Sequence, residues 1–212
     1  MTETTPAEWW SEIALPDRIE TERLLLQRHT VADAPALKAV IDANLEHLQA
    51  WMAWAMDEPS PLGVIEERVE RFAANFNHSD SWGYTIRRAN HAPIIGGCGL
   101  HAEIGPNALE IGYWLDARET GHGYATEATA ALIVAAFATG VVDRIEIRCD
   151  PNNIASAAVP RRLGFTYITT LEKNPRTPTG DPRDTMVFEL TRDQFLQNIN
   201  HPAEGSDDDD LH

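Results

Sequence analysis

The residues best suited to chemistry lie in one octapeptide, Arg118-Glu119-Thr120-Gly121-His122-Gly123-Tyr124-Ala125. An alternating, strand-like stretch precedes it and a long apolar helical stretch follows it, so Gly121 and Gly123 fall where a helix begins. The first amides of a helix have no intrahelical acceptor, and the helix dipole adds partial positive charge there. Glycines let the backbone approach an anion closely. Such a loop can cradle a pyrophosphate with few basic side chains. Further on, Asn153 and Ser156 open another helical segment. Ser156 is either a cap or a hydroxyl able to give up a proton. Upstream, Glu110 shares a strand face with Trp114, and His101 and Glu103 stand on the preceding strand. Each can receive a proton, and imidazole titrates in the right range; water can also do the task. Cys149, at a strand end, is either a small buried residue or a thiol beside the site. Trp51 and Trp54, three apart, read as one helical face: core, or the stacking wall of a pocket.

Residues 1–18 read as a polar lead-in, partly ordered by Trp9 and Trp10. Residues 19–28 read as a first strand. Thr30 and Asp33 resemble a capping box, followed by a helix over 31–44 with Val31, Ala34, Leu37, Val40 and Ile41 at helical spacing. Leu45, Leu48, Trp51, Met52 and Met56 mark a second helical piece, broken by the prolines at 59 and 61. Residues 63–76 are helical, with Val64, Ile65, Val69, Phe72 and Phe76 as the stripe. The period then changes to two over 81–88, 93–104 and 108–115, an antiparallel meander with turns at Asn90-His91 and at Gly105-Pro106-Asn107. A βαβα unit follows: a helix from Tyr124 to Thr139 stopped by Gly140, a strand over 143–150, a helix over 152–163 ended by Gly164, and a strand over 165–173. After a Pro/Gly-rich loop, the strand 184–190 closes the sheet and a helix covers 191–197. The body is therefore expected over 19–198, and an acidic, disordered tail over 199–212.

Two familiar phosphate loops are excluded. The dinucleotide fingerprint requires a third glycine, but position 126 is Thr126, and an antiparallel meander precedes the loop. A P-loop requires Gly-Lys-Ser/Thr, which is absent. The chain carries 17 basic and 33 acidic residues, a formal net charge of −16. This balance disfavours nucleic acid and favours amine-bearing partners. Two cysteines make no disulfide framework, and no metal cluster is expected. No apolar run reaches a membrane span and no leader is legible, so a cytoplasmic protein without membrane association is expected.

The segments together resemble the GNAT superfamily of N-acyltransferases. Its central motif, Arg/Gln-x-x-Gly-x-Gly/Ala, is matched by Arg118, Gly121 and Gly123. The stretch Glu110–Leu115 looks like the family's pantetheine-binding strand. Asn153, Ser156, Leu163, Gly164 and Phe165 match its downstream segment. The opening Glu20–Arg28 and the tryptophan-bearing 44–54 are similar to the RimJ/RimL-like branch that acetylates ribosomal-protein N-termini.

The resemblance spans about residues 19–197. It implies an α+β fold with a mixed central sheet of about seven strands flanked by helices. It also implies acetyl-CoA as co-substrate without a metal, and direct attack of an amine in a ternary complex. In that picture Tyr113, Trp114 and Leu115 meet the thioester and pantetheine where neighbouring strands splay apart. Arg118, Glu119, Thr120, Gly121, His122, Gly123, Tyr124, Ala125 and Thr126 hold the pyrophosphate, and Asn153 bonds the pantetheine. Ser156 protonates the leaving thiolate and Glu110 serves the amine. Trp51, Trp54, His101 and Glu103 wall the acceptor site, and Cys149 approaches the coenzyme thiol. The acceptor is a small amine or a protein N-terminus, the protein a monomer or homodimer. A larger acyl donor such as succinyl-CoA, or a non-catalytic acyl-CoA sensor, keeps the same fold.

Overall fold

The computed structural model describes residues 9–76, 80–89, 93–174 and 183–200. Residues 1–8 of the expected lead-in, the turn expected at Asn90-His91, residues 175–182 of the expected Pro/Gly-rich loop and the expected tail from 201 lie outside the described residues.

One eight-stranded sheet organises the chain. Its strands are β1 (Arg18–Glu20), β2 (Leu24–Arg28), β3 (Ser81–Arg88), β4 (Ile94–His101), β5 (Ala108–Leu115), β6 (Arg144–Cys149), β7 (Thr166–Asn174) and β8 (Arg183–Thr191), in the spatial order β1-β2-β3-β4-β5-β6-β8-β7. Every neighbouring pair is antiparallel except β5 and β6, which are parallel. The additional strand arises because residues 19–28 do not run straight. Thr21 and Leu24 exchange backbone and hydroxyl hydrogen bonds across a tight turn, so β1 folds back on β2.

The helices are α1 (Ala34–Asp42), α2 (Leu45–Gln49), α3 (Leu62–Asn75), α4 (Tyr124–Ala138), α5 (Ile154–Arg162) and α6 (Arg192–Asn200). Asp33 accepts the Thr30 amide at 2.8 Å, as a capping box does, but the first turn over 31–33 is a 3₁₀ turn and leaves Val31 exposed. In α3, Ile65 and Val69 are buried, whereas Val64 and Phe72 are exposed. Helix α6 continues through Asn200, beyond the boundary expected at 198, with Gln194 capping back onto the Thr191 amide and hydroxyl. Trp9 and Trp10, on a 3₁₀ turn, pack against the main core beside buried Ile13.

Period-two alternation gives the sheet two distinct faces. Leu100, Leu109 and Ile111 join Ala128, Leu132 and Ile133 of α4 in the main core. On the opposite face, α1, α2 and α3 form a second cluster around Leu37, Ile41, Leu48, Ile65 and Val69. The parallel pairing of β5 and β6 covers only Ala108–Glu110 against Arg144–Glu146. Beyond Glu110 the two strands separate, and both faces of the sheet are in reach of that opening. No helix among the described residues is long and apolar enough to cross a membrane.

Candidate active site

At the opening, β5 hands the chain to the glycine loop. Asp116 is buried and accepts three hydrogen bonds from Arg118: the amide at 2.9 Å, Nε at 3.1 Å and Nη2 at 2.6 Å. These bonds, led by those of the guanidinium, hold the Asp116 carboxyl down at about 2. The buried Asn44 accepts the next amide, Ala117, at 2.9 Å. The loop then crosses into the left-handed region at Gly121 and Gly123, both with φ of 78°. L side chains rarely adopt that conformation, which is the local reason for both glycines. Gly123 is the N-cap of α4.

A second brace comes from the β1–β2 turn. Glu127, in the first turn of α4, accepts hydrogen bonds from the Thr21 hydroxyl at 2.5 Å, the Arg23 amide at 2.9 Å and Arg23 Nε at 2.6 Å. Arg23 also donates to the His122 carbonyl at 2.9 Å and lies over the Tyr124 ring, 4.9 Å from its centroid. Burial pushes the Glu127 carboxyl up, but these bonds from Thr21 and Arg23 more than offset it and leave it lowered. A carboxylate so near a helix N-terminus would repel an anion there; the arginine cancels it.

A cavity of about 570 Å³ runs from this loop to α5. Of the residues expected at the coenzyme, Tyr113, Trp114, Leu115, Thr120, Gly121, Gly123, Tyr124, Ala125, Thr126, Asn153 and Ser156 line it. Arg118, Glu119 and His122 do not. Their side chains serve the scaffold: Arg118 binds Asp116, Glu119 pairs with Arg88, and His122 stacks on Tyr124. Asn153 spends its side-chain oxygen on capping α5, accepting the Ser156 amide at 3.0 Å. The Tyr113 hydroxyl lies 3.2 Å from Ser156 Oγ and donates to the Ser156 carbonyl at 3.0 Å. Burial pushes the Tyr113 phenol well up, keeping it protonated. Burial also raises the Cys149 thiol to about 11, against a hydrogen bond with Ser156 that lowers it.

A second cavity, of about 380 Å³, lies on the α1–α3 side and shares Met52, Tyr113 and Trp114 with the first. Glu110 and His101 line it; Glu103 is exposed and lines neither. His101 Nδ1 is 2.9 Å from Ser81 Oγ, and burial lowers its pKa, opposed by Glu103 and Asp80. The ring is therefore neutral and able to accept a proton at neutral pH. Glu110 stands 3.6 Å from Arg148.

The expected shared face of Trp51 and Trp54 does not form. Helix α2 ends at Gln49 and a separate 3₁₀ turn begins at Ala53, so Trp51 lines the first cavity and Trp54 the second, against Trp114 at 5.9 Å between centroids. Sequence reasoning passed over His29, Ser81, Gly83, Gly97 and Gly99, which also line the second cavity. Three glycines within β4, positions 96, 97 and 99, were the available signal, because glycine inside a strand marks a close approach. Among the described residues no cluster of His, Cys, Asp or Glu is arranged to hold a metal ion.

The family model described as an acetyltransferase (GNAT) domain matches residues 23–166, the span from the Arg23 brace through the glycine loop to β7. The chain belongs to the GNAT acetyltransferase family. Among relatives, the uncharacterized protein YkkB of Bacillus subtilis (strain 168) is 29% identical over 118 residues, covering 52% of this chain and 69% of that protein. Among solved structures, RimL, a ribosomal L7/L12 alpha-N-protein acetyltransferase bound to coenzyme A through a cysteine disulfide, is 26% identical. It superposes with a TM-score of 0.76 over 84% of this chain and 99% of its own. The microcin C7 self-immunity acetyltransferase MccE, solved with acetyl-CoA and AMP, shares the fold with a TM-score of 0.74 at 23% identity, over 81% of this chain and 93% of its own. The GNAT fold thus has an eight-stranded mixed sheet here, with the β5–β6 opening at its centre.

Proposed function

We propose that this GNAT enzyme transfers acetyl from acetyl-CoA to a primary amine, with the coenzyme in the 570 Å³ cavity and the amine in the 380 Å³ one. The observation that carries the reading is the meeting of the two cavities at Tyr113 and Trp114, beside Ser156 and next to the β5–β6 opening. Amides of β5 past Glu110 have no partner strand in β6 and stand where a thioester oxygen needs donors. The loop amides at the start of α4 receive the pyrophosphate.

In the reaction, the amine nitrogen forms a bond to the acetyl carbon while the carbon–sulfur bond breaks. The amine's proton passes to Glu110 or, through water, to the neutral His101. Ser156 protonates the departing thiolate, and the adjacent Tyr113 hydroxyl replenishes or replaces it. The reaction as written requires no covalent step at Cys149, whose thiol is raised by burial. The kinship with RimL supports a protein α-amino group as one acceptor class, and small amines are the other.

The test is thiol release from acetyl-CoA, and in parallel from succinyl-CoA, with a panel of amines and peptides. Acetyl-CoA and at least one primary amine should release thiol together. Coenzyme binding without release across the panel would refute catalysis and leave a sensor; preference for succinyl-CoA would refute the acetyl assignment.

A further inference from the structure

Three glycines from adjacent strands stand directly beside one another. Gly83 of β3 pairs with Gly99 of β4, and Gly99 with Gly112 of β5. The row crosses the strands, so at the usual strand spacing it extends about 10 Å from Gly112 to Gly83. It floors the second cavity. One end adjoins Tyr113, where the cavities meet. The other lies beneath the His29 ring, 3.2 Å from where a Gly83 Cβ would stand.

The flanking rows carry side chains. Ser81, His101 and Glu110 are paired across one side. On the other, the Trp114 indole lies over Gly97, with Nε1 2.7 Å from the position a Cβ would take there. The glycine row between them lines the cavity as a trough, walled by imidazole on one side and indole on the other, open at Gly112 and covered by His29 at Gly83.

His29 supplies the polar end of the trough. It is 7% exposed and lines the cavity, and its Cδ2–Nε2 edge lies over the glycine row, Nε2 standing 3.4 Å from where a Gly83 Cβ would be. A ring nitrogen at a cavity wall can share a hydrogen bond with a hydroxyl of the occupant. Burial, opposed by Asp33, brings the His29 pKa down to about 4, so the ring is neutral. A neutral imidazole bonds a hydroxyl but offsets no negative charge.

We propose that this trough selects the acceptor: a slim primary amine with a flat, unbranched body about two strand spacings long, ending in a hydroxyl or similar uncharged polar group that meets His29. The inference rests on the acetyl-transfer reading, which directs the amino group to the Gly112 end. A branched body meets Trp114 or His101, and an anionic far end meets an uncharged ring.

The test uses the intact protein with tyramine, phenethylamine, 4-(2-aminoethyl)benzoate and a serine-initiated hexapeptide. Thiol release gives kcat and KM, and quenching of intrinsic tryptophan fluorescence, with coenzyme A present, gives acceptor affinity without turnover. Tyramine should lead, phenethylamine follow, and the carboxylate and the peptide trail. Gly112→Ala adds one methyl whose nearest neighbour is His101 Nε2 at 3.8 Å, so the fold tolerates it. It should raise the tyramine KM about tenfold or more, the scale of one methyl in a fitted pocket, with the acetyl-CoA KM unchanged. His29→Ala should abolish the advantage of tyramine over phenethylamine. Unchanged tyramine KM and affinity in both variants, or peptide turnover matching tyramine's, overturns the trough. Absence of thiol release with tyramine affinity still sensitive to Gly112→Ala overturns acetyl transfer and upholds the trough.

Discussion

Removing the Arg23 side chain should weaken coenzyme binding without slowing the chemical step. The guanidinium donates to Glu127 and to the His122 carbonyl, tying the β1–β2 turn to the loop ahead of α4. Hydrogen bonds to charged groups contribute about 1.5–3 kcal/mol when dry. The Arg23 side chain is 46% exposed and that of Glu127 16%, so solvent screening reduces the net effect to about 1–2 kcal/mol. If the brace acts through loop order and through cancelling the Glu127 charge, Arg23→Ala should bind coenzyme A roughly 5- to 30-fold more weakly. Calorimetric titration of the parent, Arg23→Ala, Glu127→Gln and the double variant measures this, with kcat at saturating acetyl-CoA as the companion readout. Because Arg23→Ala leaves the Glu127 carboxylate without its counter-charge beside the proposed pyrophosphate site, the double variant should bind better than Arg23→Ala alone. Coenzyme affinity within twofold of the parent in Arg23→Ala, or a double variant weaker than that single, would refute the reasoning.

Ser156→Ala should lower kcat about ten- to a hundredfold, toward the low end of general-acid effects because Tyr113 stands 3.2 Å away, with coenzyme affinity retained. Stopped-flow thiol release with parallel titration separates the two quantities, and unchanged turnover would make Ser156 a structural residue. Gly123→Val places a β-branched residue at φ of 78°, costing roughly 1–3 kcal/mol of strain, and should abolish coenzyme binding; unchanged affinity would defeat the loop assignment. Stability should also depend on pH through His29. Its pKa is about 4 folded against 6.5 for the free side chain, so the contribution is complete above 6.5 and is lost as pH falls toward 4. The slope is about 1.4 kcal/mol per pH unit for this group, near 3 kcal/mol in all. Urea melts from pH 7 to 4.5 should show it, and His29→Asn should flatten that part of the profile.

The glycine loop was legible because its signal is local. Two glycines, a preceding alternating strand and a following apolar helix all fall within a short window, and the left-handed φ at Gly121 and Gly123 shows why the turn into α4 uses glycine. The same holds for the β3–β4–β5 meander, whose alternation sets which side chains reach each face. What escaped was set by distance in the chain. Thr21 and Arg23 reach Glu127 across more than a hundred residues, and nothing in a linear reading pairs them. Gly83, Gly99 and Gly112 form a row only once two strand registers are fixed. Trp51 and Trp54 fit one helical face by spacing, yet α2 ends before either, and the break sends them to different cavities. Arg118 is expected among the residues that hold the pyrophosphate, and its guanidinium pairs with Asp116, two residues earlier.

The separation of β5 from β6 has a consequence for how the enzyme survives in a cell. A parallel pair joined over three residues is a slot cut halfway through the sheet. On the proposed placement, a coenzyme arm lying in it would act as a ninth, borrowed strand. The amides on either lip should exchange their hydrogens early when the slot is empty and late when it is filled. By mass action, coenzyme at a hundred times its dissociation constant adds about 2.7 kcal/mol to the folded state. On that placement, the lifetime of this protein would be coupled to the acyl-CoA level around it.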